Sequence, residues 1–243
     1  MGTRMTSLLL RLLVGVSVLG HVAVIADGFR VPAQRPHPRW QVAVTLGDSL
    51  THYGPGCVGW PEYLQQNVGA FYVLNAGVSG DRLSVIHTRW EDTLRPLHPG
   101  VLTLLGGTND VIADTDAATI ELELGTIYAE ALADGDRLLV MTLPPLGGSS
   151  YATPARLATL GQVNDWVRAY AAQHPGVLLV DTWALWGDPN DGTRYAPACD
   201  RGDHEHEGDA GARALAAAVL RVLGGGPSEP NSDHPATGCV GVP

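Results

Sequence analysis

The sequence predicts a three-layer α/β/α sandwich built on a five-stranded parallel sheet. Short apolar runs alternate along the chain with helical patterns, and each run is nearly continuous in apolar residues. Strands buried on both faces of a parallel sheet have this composition, whereas half-exposed antiparallel strands alternate apolar and polar residues. Alternation of strand and helix is typical of a doubly wound sheet with helices on both faces.

Five strands and five helices account for the central part of the chain. The strands are predicted at Val42–Leu46, Tyr72–Leu74, Val101–Leu105, Leu138–Leu143 and Val177–Val180. The helices are predicted around Pro61–Gln66, Arg82–Leu94, Ala117–Leu132, Ala155–Ala172 and Asp209–Leu223, the last stopped by a run of glycines. Binding residues of such sheets lie on the loops after the strands, so functional residues are expected there.

Composition indicates one folded domain and excludes one class of partner. The chain of 243 residues is 45% hydrophobic and 16% charged, which suits one substantial core. Its formal net charge is −10, and only 15 residues are Lys or Arg, which opposes binding to a phosphate backbone. We therefore expect a monomer with no nucleic-acid partner.

The first 26 residues predict export. Arg4 and Arg11 give a positive start, an apolar stretch follows, and small residues up to Ala26 offer a cleavage position, as in a signal peptide. An uncleaved membrane anchor is the alternative, although Arg11 and His21 would be costly in a bilayer. A secreted or extracytoplasmic protein is expected, in contact with a membrane only if this segment is retained.

The segments on either side of the domain differ from it in composition. Residues 27–39 carry three prolines and predict an extended linker, so the folded domain is expected over residues 40–223. Residues 224–243 are rich in Gly, Pro and Ser and predict a disordered tail.

Ser49 stands directly after the first predicted strand, in the run Thr45-Leu46-Gly47-Asp48-Ser49-Leu50. Gly47 permits a tight turn, which can present the serine hydroxyl at the top of the sheet. Gly, Asp and Ser are also ordinary turn and helix-cap residues, so this motif alone leaves a capping role open.

Two further motifs follow the second and third strands. One carries Gly80, where the absence of a side chain lets a backbone N–H approach a substrate, and the other carries Asn109. With the Ser49 N–H, these groups would give three donors aimed at a developing oxyanion. Either segment could instead be a simple strand-to-helix turn.

An acid and a base stand before the last predicted helix, at Asp203 and His206. A serine at its ordinary pKa is a weak nucleophile and needs an imidazole to accept its proton. The imidazole in turn needs a partner on its other nitrogen, and a carboxylate three residues away on a turn can supply it.

Together these four blocks resemble the SGNH or GDSL hydrolase superfamily in identity, order and spacing, from Trp40 to about Leu223. The resemblance implies a flavodoxin-like SGNH fold, Ser49 as nucleophile, Asp203 and His206 completing the triad, and an oxyanion hole of Ser49, Gly80 and Asn109. It implies an esterase or lipase without a metal or organic cofactor. Gly211 matches the small residue that the family places in the final helix.

The resemblance leaves the substrate open between small acyl or lysophospholipid esters and acetylated carbohydrates. Candidate pocket walls are Trp60, Pro145, Tyr151 and Trp183, each equally compatible with a place in the core or on the surface. Glu207 departs from the family, which commonly has proline there. A carboxylate beside His206 would favour the protonated imidazole and shift the pH optimum.

Three cysteines, Cys57, Cys199 and Cys239, fit an export route that permits one bridge. Cys57 follows the Ser49 motif and Cys199 precedes Asp203, so both are expected near the same end of the domain. A Cys57–Cys199 bridge is the pairing we predict.

Alternative roles remain for other residues. His52 could be the base, but it shares an element with the serine, and we expect a solvent-facing helix residue. An acidic and histidine-rich segment could bind zinc or manganese, although His-Glu-x-x-His and paired-cysteine motifs are absent. That segment comprises Asp200, Asp203, His204, Glu205, His206, Glu207 and Asp209.

Other protein classes find less support. The glycine runs lack the Gly-Lys-Ser/Thr ending of a phosphate-binding loop. The Gly-x-Ser-x-Gly elbow of α/β-hydrolases is missing, because Thr51 stands where its second glycine would be. A non-catalytic carbohydrate-binding module that keeps the fold is the alternative from another class, and the intact set of five site residues argues against it.

Overall fold

The computed structural model of the protein describes residues 42–52, 58–69 and 71–224. The predicted signal segment at 1–26, the linker at 27–39 and the start of the domain at residue 40 lie outside these residues. Cys57, Cys239 and all of the predicted tail after Gly224 lie outside them as well. Export, the linker and the tail therefore stay predictions.

The sheet is five-stranded and entirely parallel, which confirms the predicted fold class. Its strands are β1 (Val42–Gly47), β2 (Tyr72–Gly77), β3 (Val101–Leu105), β4 (Arg137–Met141) and β5 (Leu178–Val180). They lie side by side in the order β2-β1-β3-β4-β5. β2 extends three residues beyond its prediction, because its backbone keeps pairing with β1 through Asn75, Ala76 and Gly77 after the apolar run has ended.

Seven α-helices connect and cover the strands in the described part of the chain. They are α1 (Trp60–Asn67), α2 (Leu83–Arg89), α3 (Thr108–Ile112), α4 (Ala117–Asp134), α5 (Pro154–Gln173), α6 (Thr182–Trp186) and α7 (Asp209–Val222). Neither α3 nor α6 was predicted, because five residues are too few to show a helical period. The predicted helix Arg82–Leu94 changes after α2 into a π-helical turn, Trp90–Leu94, and a 3₁₀ turn, Arg95–Leu97, that contains Pro96.

Two apolar clusters lie on opposite faces of the sheet and explain why the strands are continuously apolar. In β4, Leu138 and Val140 belong to the cluster beneath α2, α4 and α5. Leu139 and Met141 belong to the cluster beneath α1, α6 and α7. Successive side chains of a strand point to opposite faces, so a central strand covered on both sides needs apolar residues at every position.

The strand register brings three chain segments to one edge of the sheet. Gly47, the last residue of β1, is paired with Gly77 on β2 and with Leu105 on β3. The three strands are parallel, so their carboxyl ends stand side by side at this level. The segments that leave them carry Ser49, Gly80 and Asn109, as the sequence predicts.

Cys199 is a free, half-buried thiol, which contradicts the predicted Cys57–Cys199 bridge. Its side chain packs against the apolar cluster beneath α7, and burial raises its pKa. The cysteine therefore serves there as a small apolar residue.

None of the helices within the described residues is long and apolar enough to cross a membrane.

Asn164 joins α5 to the segment that follows β4. Its side chain is 1% exposed, accepts a hydrogen bond from the Leu143 N–H at 2.6 Å and donates one to the Leu143 carbonyl at 2.9 Å. Leu143 is itself fully buried, so water cannot replace either partner.

Replacing Asn164 with leucine should destabilise the fold, because it leaves both backbone groups of Leu143 buried without a partner. Each orphaned group costs about 1–3 kcal/mol, so we expect the free energy of unfolding to fall by about 2–5 kcal/mol. Urea denaturation of Asn164→Leu measures it, with Asn190→Ala as the control, since Asn190 is exposed and its side chain bonds to the nearby Asp188. Equal stability of the two variants would contradict the assignment.

Candidate active site at the carboxyl edge of the sheet

Ser49 sits on a single turn that follows β1 directly. The Asp48 carbonyl accepts hydrogen bonds from the N–H groups of Thr51 at 3.1 Å and His52 at 2.9 Å, which closes the turn. A Cβ on Gly47 would collide with the Leu105 carbonyl and with Thr51, so only glycine fits there. The tight turn leaves Ser49 half-buried at the edge of the sheet.

Asp48 is a fully buried carboxyl directly before Ser49. Its Oδ1 accepts a hydrogen bond from the Leu50 N–H at 3.0 Å, which fixes the turn from inside. Burial raises the pKa of Asp48 to about 7, and the charges of Asp110 and Asp81 raise it further. The group is therefore largely uncharged at mildly acidic pH, which lessens the cost of its burial.

Gly80 lies in a short loop held at both ends. At one end the Val78 N–H donates to the Gly47 carbonyl at 3.1 Å, and at the other the Leu83 N–H donates to Asp110 Oδ2 at 2.9 Å. The φ angle of Gly80 is +82°, a left-handed conformation that a side chain disfavours. Among the described residues, neither the Gly80 nor the Ser49 N–H donates to a protein acceptor.

Asn109 reaches the same space from the first turn of α3. Its Nδ2 donates to the Asp81 carbonyl at 3.0 Å, next to Gly80 in the chain. It also approaches Asp48 Oδ2 at 3.4 Å, which is too long for a strong hydrogen bond. An amide carries two N–H bonds, so the second is available to a better acceptor.

The loop before α7 holds Asp203 and His206 in a local arrangement. Asp203 Oδ1 accepts the N–H groups of Glu205 at 2.9 Å and His206 at 2.8 Å. Its Oδ2 contacts His206 Nδ1 at 2.9 Å. Burial raises the pKa of Asp203, but these hydrogen bonds outweigh it and leave the pKa below the ordinary value. A charged carboxylate therefore faces the imidazole.

His206 connects this loop to the serine turn. Its Nε2 lies 2.9 Å from Ser49 Oγ across 157 positions of the chain. The imidazole thus stands between Asp203 on one nitrogen and Ser49 on the other. With Nδ1 protonated and facing the carboxylate, Nε2 is free to accept the serine proton.

An open cavity of about 360 Å³ lies above these groups. The residues that line it are polar or small: Ser49, His52, Ser79, Gly80, Asn109, Arg201, Glu205 and His206. The structure therefore brings Ser49, His206 and the two further predicted donor positions to one space, with Asp203 behind the imidazole.

The sequence pattern of the GDSL-like Lipase/Acylhydrolase family matches residues 45–214, which include every one of these groups. The chain belongs to this family. It is therefore a carboxylic ester hydrolase, and the resemblance seen in the sequence is confirmed.

Solved structures of GDSL proteins share the fold. A lipolytic protein of the G-D-S-L family from Desulfitobacterium hafniense DCB-2 is 19% identical with a TM-score of 0.65, covering 75% of this chain and 99% of its own. The lipase/acylhydrolase from Enterococcus faecalis is 21% identical with a TM-score of 0.61, covering 74% and 94%. Axe2, an acetylxylan esterase from Geobacillus stearothermophilus, is 24% identical with a TM-score of 0.62, covering 76% and 94%. No curated protein matches the chain.

The predicted pocket walls do not line the cavity of this GDSL protein. Trp60, the first residue of α1, is fully buried and Pro145 is buried, so both are core residues. Trp183 packs against the apolar cluster beneath α2, α4 and α5. Tyr151 is 43% exposed and is not among the residues that line the cavity. Large aromatic side chains gain most from complete burial, which sequence alone cannot distinguish from a place in a pocket wall.

His52 differs from its prediction as a solvent-facing helix residue. It follows the serine turn outside any helix, is half-buried and lines the cavity. Its Nδ1 contacts the Gly77 carbonyl at 3.1 Å, so it has the orienting partner that the sequence did not reveal. This partner is a backbone carbonyl, which no side-chain motif can indicate.

Glu207 also departs from its prediction as a charge beside His206. Its side chain is fully buried, and burial raises its pKa far above the ordinary value. Burial therefore disfavours the carboxylate charge that the sequence predicts beside the imidazole.

Three lining residues were missed as cavity residues in the sequence. Ser79 precedes Gly80, while Arg201 and Glu205 lie in the same loop as Asp203 and His206. Their closeness in sequence to motif residues was the available signal. Burial raises the pKa of Glu205, and the adjacent His206 lowers it in part.

The acidic and histidine-rich loop is occupied by internal pairs. Asp200 bonds to His204 at 2.5 Å, Asp203 to His206, and Asp209 to Tyr63 and Arg213. Within the described residues, one cluster of metal-binding side chains has its donor atoms within 4.8 Å of one another, and it lies elsewhere, at His87, Glu91 and Glu130. In that cluster Arg95 donates a hydrogen bond to Glu91 at 2.9 Å, so the guanidinium already provides a positive charge to the carboxylate.

Asp48→Asn should change how stability depends on pH. The folded pKa of about 7 lies above the ordinary 3.8, so Asp48 stabilises the fold fully below pH 3.8, and this contribution is lost as pH rises to about 7. Asparagine does not titrate. Between pH 4 and 8 the stability difference should therefore shift in favour of the variant, by on the order of 4 kcal/mol.

Urea denaturation of the wild type and Asp48→Asn at several pH values checks this expectation. At each pH the free energy of unfolding of the wild type is subtracted from that of the variant. Only the change of this difference with pH is used, so any effect of the amide that does not depend on pH cancels. A difference that stays the same from pH 4 to pH 8 would show that Asp48 titrates in the folded chain as it does in water.

Proposed function

We propose that the protein hydrolyses its ester through an acyl-enzyme formed on Ser49, with His206 as general base and acid and Asp203 as its orienting partner. The observation that carries the proposal is the 2.9 Å contact between His206 Nε2 and Ser49 Oγ, continued at 2.9 Å from His206 Nδ1 to Asp203. A hydroxyl, an imidazole and a carboxylate in series are the parts that nucleophilic acyl transfer requires.

In the first half of the reaction, His206 Nε2 takes the proton of Ser49 Oγ while Oγ bonds to the ester carbonyl carbon. The carbonyl oxygen becomes an oxyanion, which accepts hydrogen bonds from the Ser49 and Gly80 N–H groups and from Asn109 Nδ2. The bond to the alcohol oxygen then breaks, and His206 returns the proton to that oxygen. Alcohol leaves and the acyl group stays on Ser49.

In the second half, water takes the place of the alcohol. His206 removes a proton from the water as its oxygen bonds to the acyl carbon, and the same donors hold the second oxyanion. The bond to Ser49 Oγ breaks, and His206 protonates Oγ. Asp203, with its pKa lowered, stays ionised and stabilises the imidazolium in both halves.

Ser49→Ala and His206→Ala should each lower kcat by about 10⁴-fold or more, because nucleophile and base act as a unit. Asp203→Ala should lower kcat by a smaller factor, since His206 contacts Ser49 directly and Asp203 takes no part in that contact. The measurements are steady-state hydrolysis of p-nitrophenyl acetate and labelling by a fluorophosphonate probe, which the Ser49 variant should lose.

Ser84→Ala is the matched control, because Ser84 is exposed on α2 and should keep both activity and labelling. His52→Ala should keep far more activity than His206→Ala. The proposal would be overturned by an active Ser49→Ala, or by an inactive His52→Ala beside a fully active His206→Ala. Equal losses in all three proposed triad variants would refute the lower rank of Asp203.

We further propose that the substrate is a short-chain acyl ester of a polar alcohol. The cavity of about 360 Å³ is lined by hydroxyl, imidazole, amide, guanidinium and carboxylate groups. A long acyl chain needs an apolar wall, and the aromatic residues expected to provide one do not line the cavity. Acetylated carbohydrates, the substrates named for the Geobacillus relative, fit this lining better than lysophospholipids do.

A series of p-nitrophenyl esters tests the acyl length. We expect kcat/KM to fall by at least about tenfold from acetate to decanoate, because added methylenes find no apolar surface. Ser49→Ala provides the background for spontaneous hydrolysis. Acetate release from acetylated xylan should exceed fatty-acid release from a lysophospholipid, and the reverse order would assign the enzyme to lipids.

A further inference from the structure

Arg89, at the end of α2, joins the two segments on which the proposed nucleophile and oxyanion donors stand. Its Nη2 donates to the Gly47 carbonyl at 3.1 Å, two residues before Ser49. Its Nη1 donates to the Ala76 carbonyl at 2.8 Å, near the end of β2. Its Nε donates to Asp81 Oδ2 at 2.8 Å, in the residue after Gly80.

Asp81 continues this connection to the third donor. While its carboxylate binds Arg89, its carbonyl accepts Asn109 Nδ2 at 3.0 Å. One guanidinium therefore fixes the end of β1 before Ser49 and the loop that contains Gly80. The same loop binds the side chain of Asn109 through the Asp81 carbonyl. The side chains of Arg89 and Asp81 are 24% and 14% exposed, so solvent screens their ion pair only in part.

We propose that Arg89 is a positioning residue of the oxyanion hole, acting through Gly47, Ala76 and Asp81 without touching the substrate. The inference rests on the proposed function of Ser49, Gly80 and Asn109. Donors stabilise an oxyanion only when they are preorganised, and a displacement of about 1 Å can cost about 10²-fold in rate. The planar guanidinium binds these three acceptors through three different nitrogens in a fixed geometry, whereas lysine offers all its donors from one nitrogen.

Residues that act through the oxyanion hole affect the transition state more than the bound substrate. Arg89→Ala should therefore lower kcat by about 10- to 100-fold while KM changes by less than about threefold. Arg89→Lys should recover part of the loss. Asp81→Asn, which keeps the carbonyl for Asn109 but removes the charge, should lower kcat in the same direction and by a smaller factor.

A double-variant cycle with Asn109→Ala separates positioning from general stabilisation. If Arg89 acts through the oxyanion hole, part of the contribution of Arg89 to kcat is already lost when Asn109 is replaced by alanine. The double variant should then lose clearly less kcat than the product of the two single losses.

Arg95→Ala is the matched control. Arg95 follows Arg89 in the same helical segment and is 30% exposed. It pairs with Asp134, Glu91 and Glu130, and none of these residues lines the cavity. It should lower thermal stability to a similar extent as Arg89→Ala while kcat stays within about twofold of wild type.

The inference would be overturned if Arg89→Ala kept wild-type kcat, if Arg95→Ala lost as much kcat, or if the losses with Asn109→Ala multiplied in full. Should Arg89→Ala not fold, Arg89→Lys and Asp81→Asn carry the same comparison, and unchanged kcat in both overturns it. An active Ser49→Ala would instead refute the proposed function, so the two failures are distinct.

Discussion

The register of β1 between β2 and β3 is the constraint on which the site depends. Gly47 pairs with Gly77 on one side and with Leu105 on the other, so three strands end together at one edge of the sheet. A shift of one residue in either pairing would move one strand end by about 3.3 Å and turn its side chains to the other face. The two apolar clusters prevent that shift, because each strand is buried against helices on both sides. The rigidity of the core is thereby transmitted to the polar groups above it.

The fourth segment reaches the site by a different route. The loop with Asp203 and His206 is not an extension of a strand but is built from its own side-chain and backbone hydrogen bonds. The position of this loop on the sheet depends on α7. This helix is held to α6 by a hydrogen bond from Trp186 Nε1 to the Gly211 carbonyl at 2.9 Å. A Cβ on Gly211 would lie 2.9 Å from the Cys199 carbonyl and from Glu207 Cβ, so the loop can approach α7 this closely only because that residue is glycine. Local hydrogen bonds thus orient the imidazole, and helix packing sets its distance from Ser49.

The sequence is most informative where one physical rule decides the outcome. Continuous apolar runs located all five strands, and the rule that parallel strands present functional groups beyond their carboxyl ends indicated Ser49, Gly80 and Asn109 as neighbours. Contacts that depend on tertiary packing could not be predicted. Trp60 is equally apolar in a core and in a pocket wall, and only the position of α1 decides between them. The partner of His52 is a backbone carbonyl, and the raised pKa of Glu207 follows from its burial. Neither can be inferred from the sequence alone.

The separation of Ser49 and His206 by 157 positions has a consequence for synthesis. The serine and the three proposed oxyanion donors lie between residues 49 and 109, whereas the imidazole lies in the loop before α7. Under the proposed mechanism, a nascent chain that ends before His206 lacks the base for Ser49, so hydrolysis requires that the loop before α7 has been synthesised.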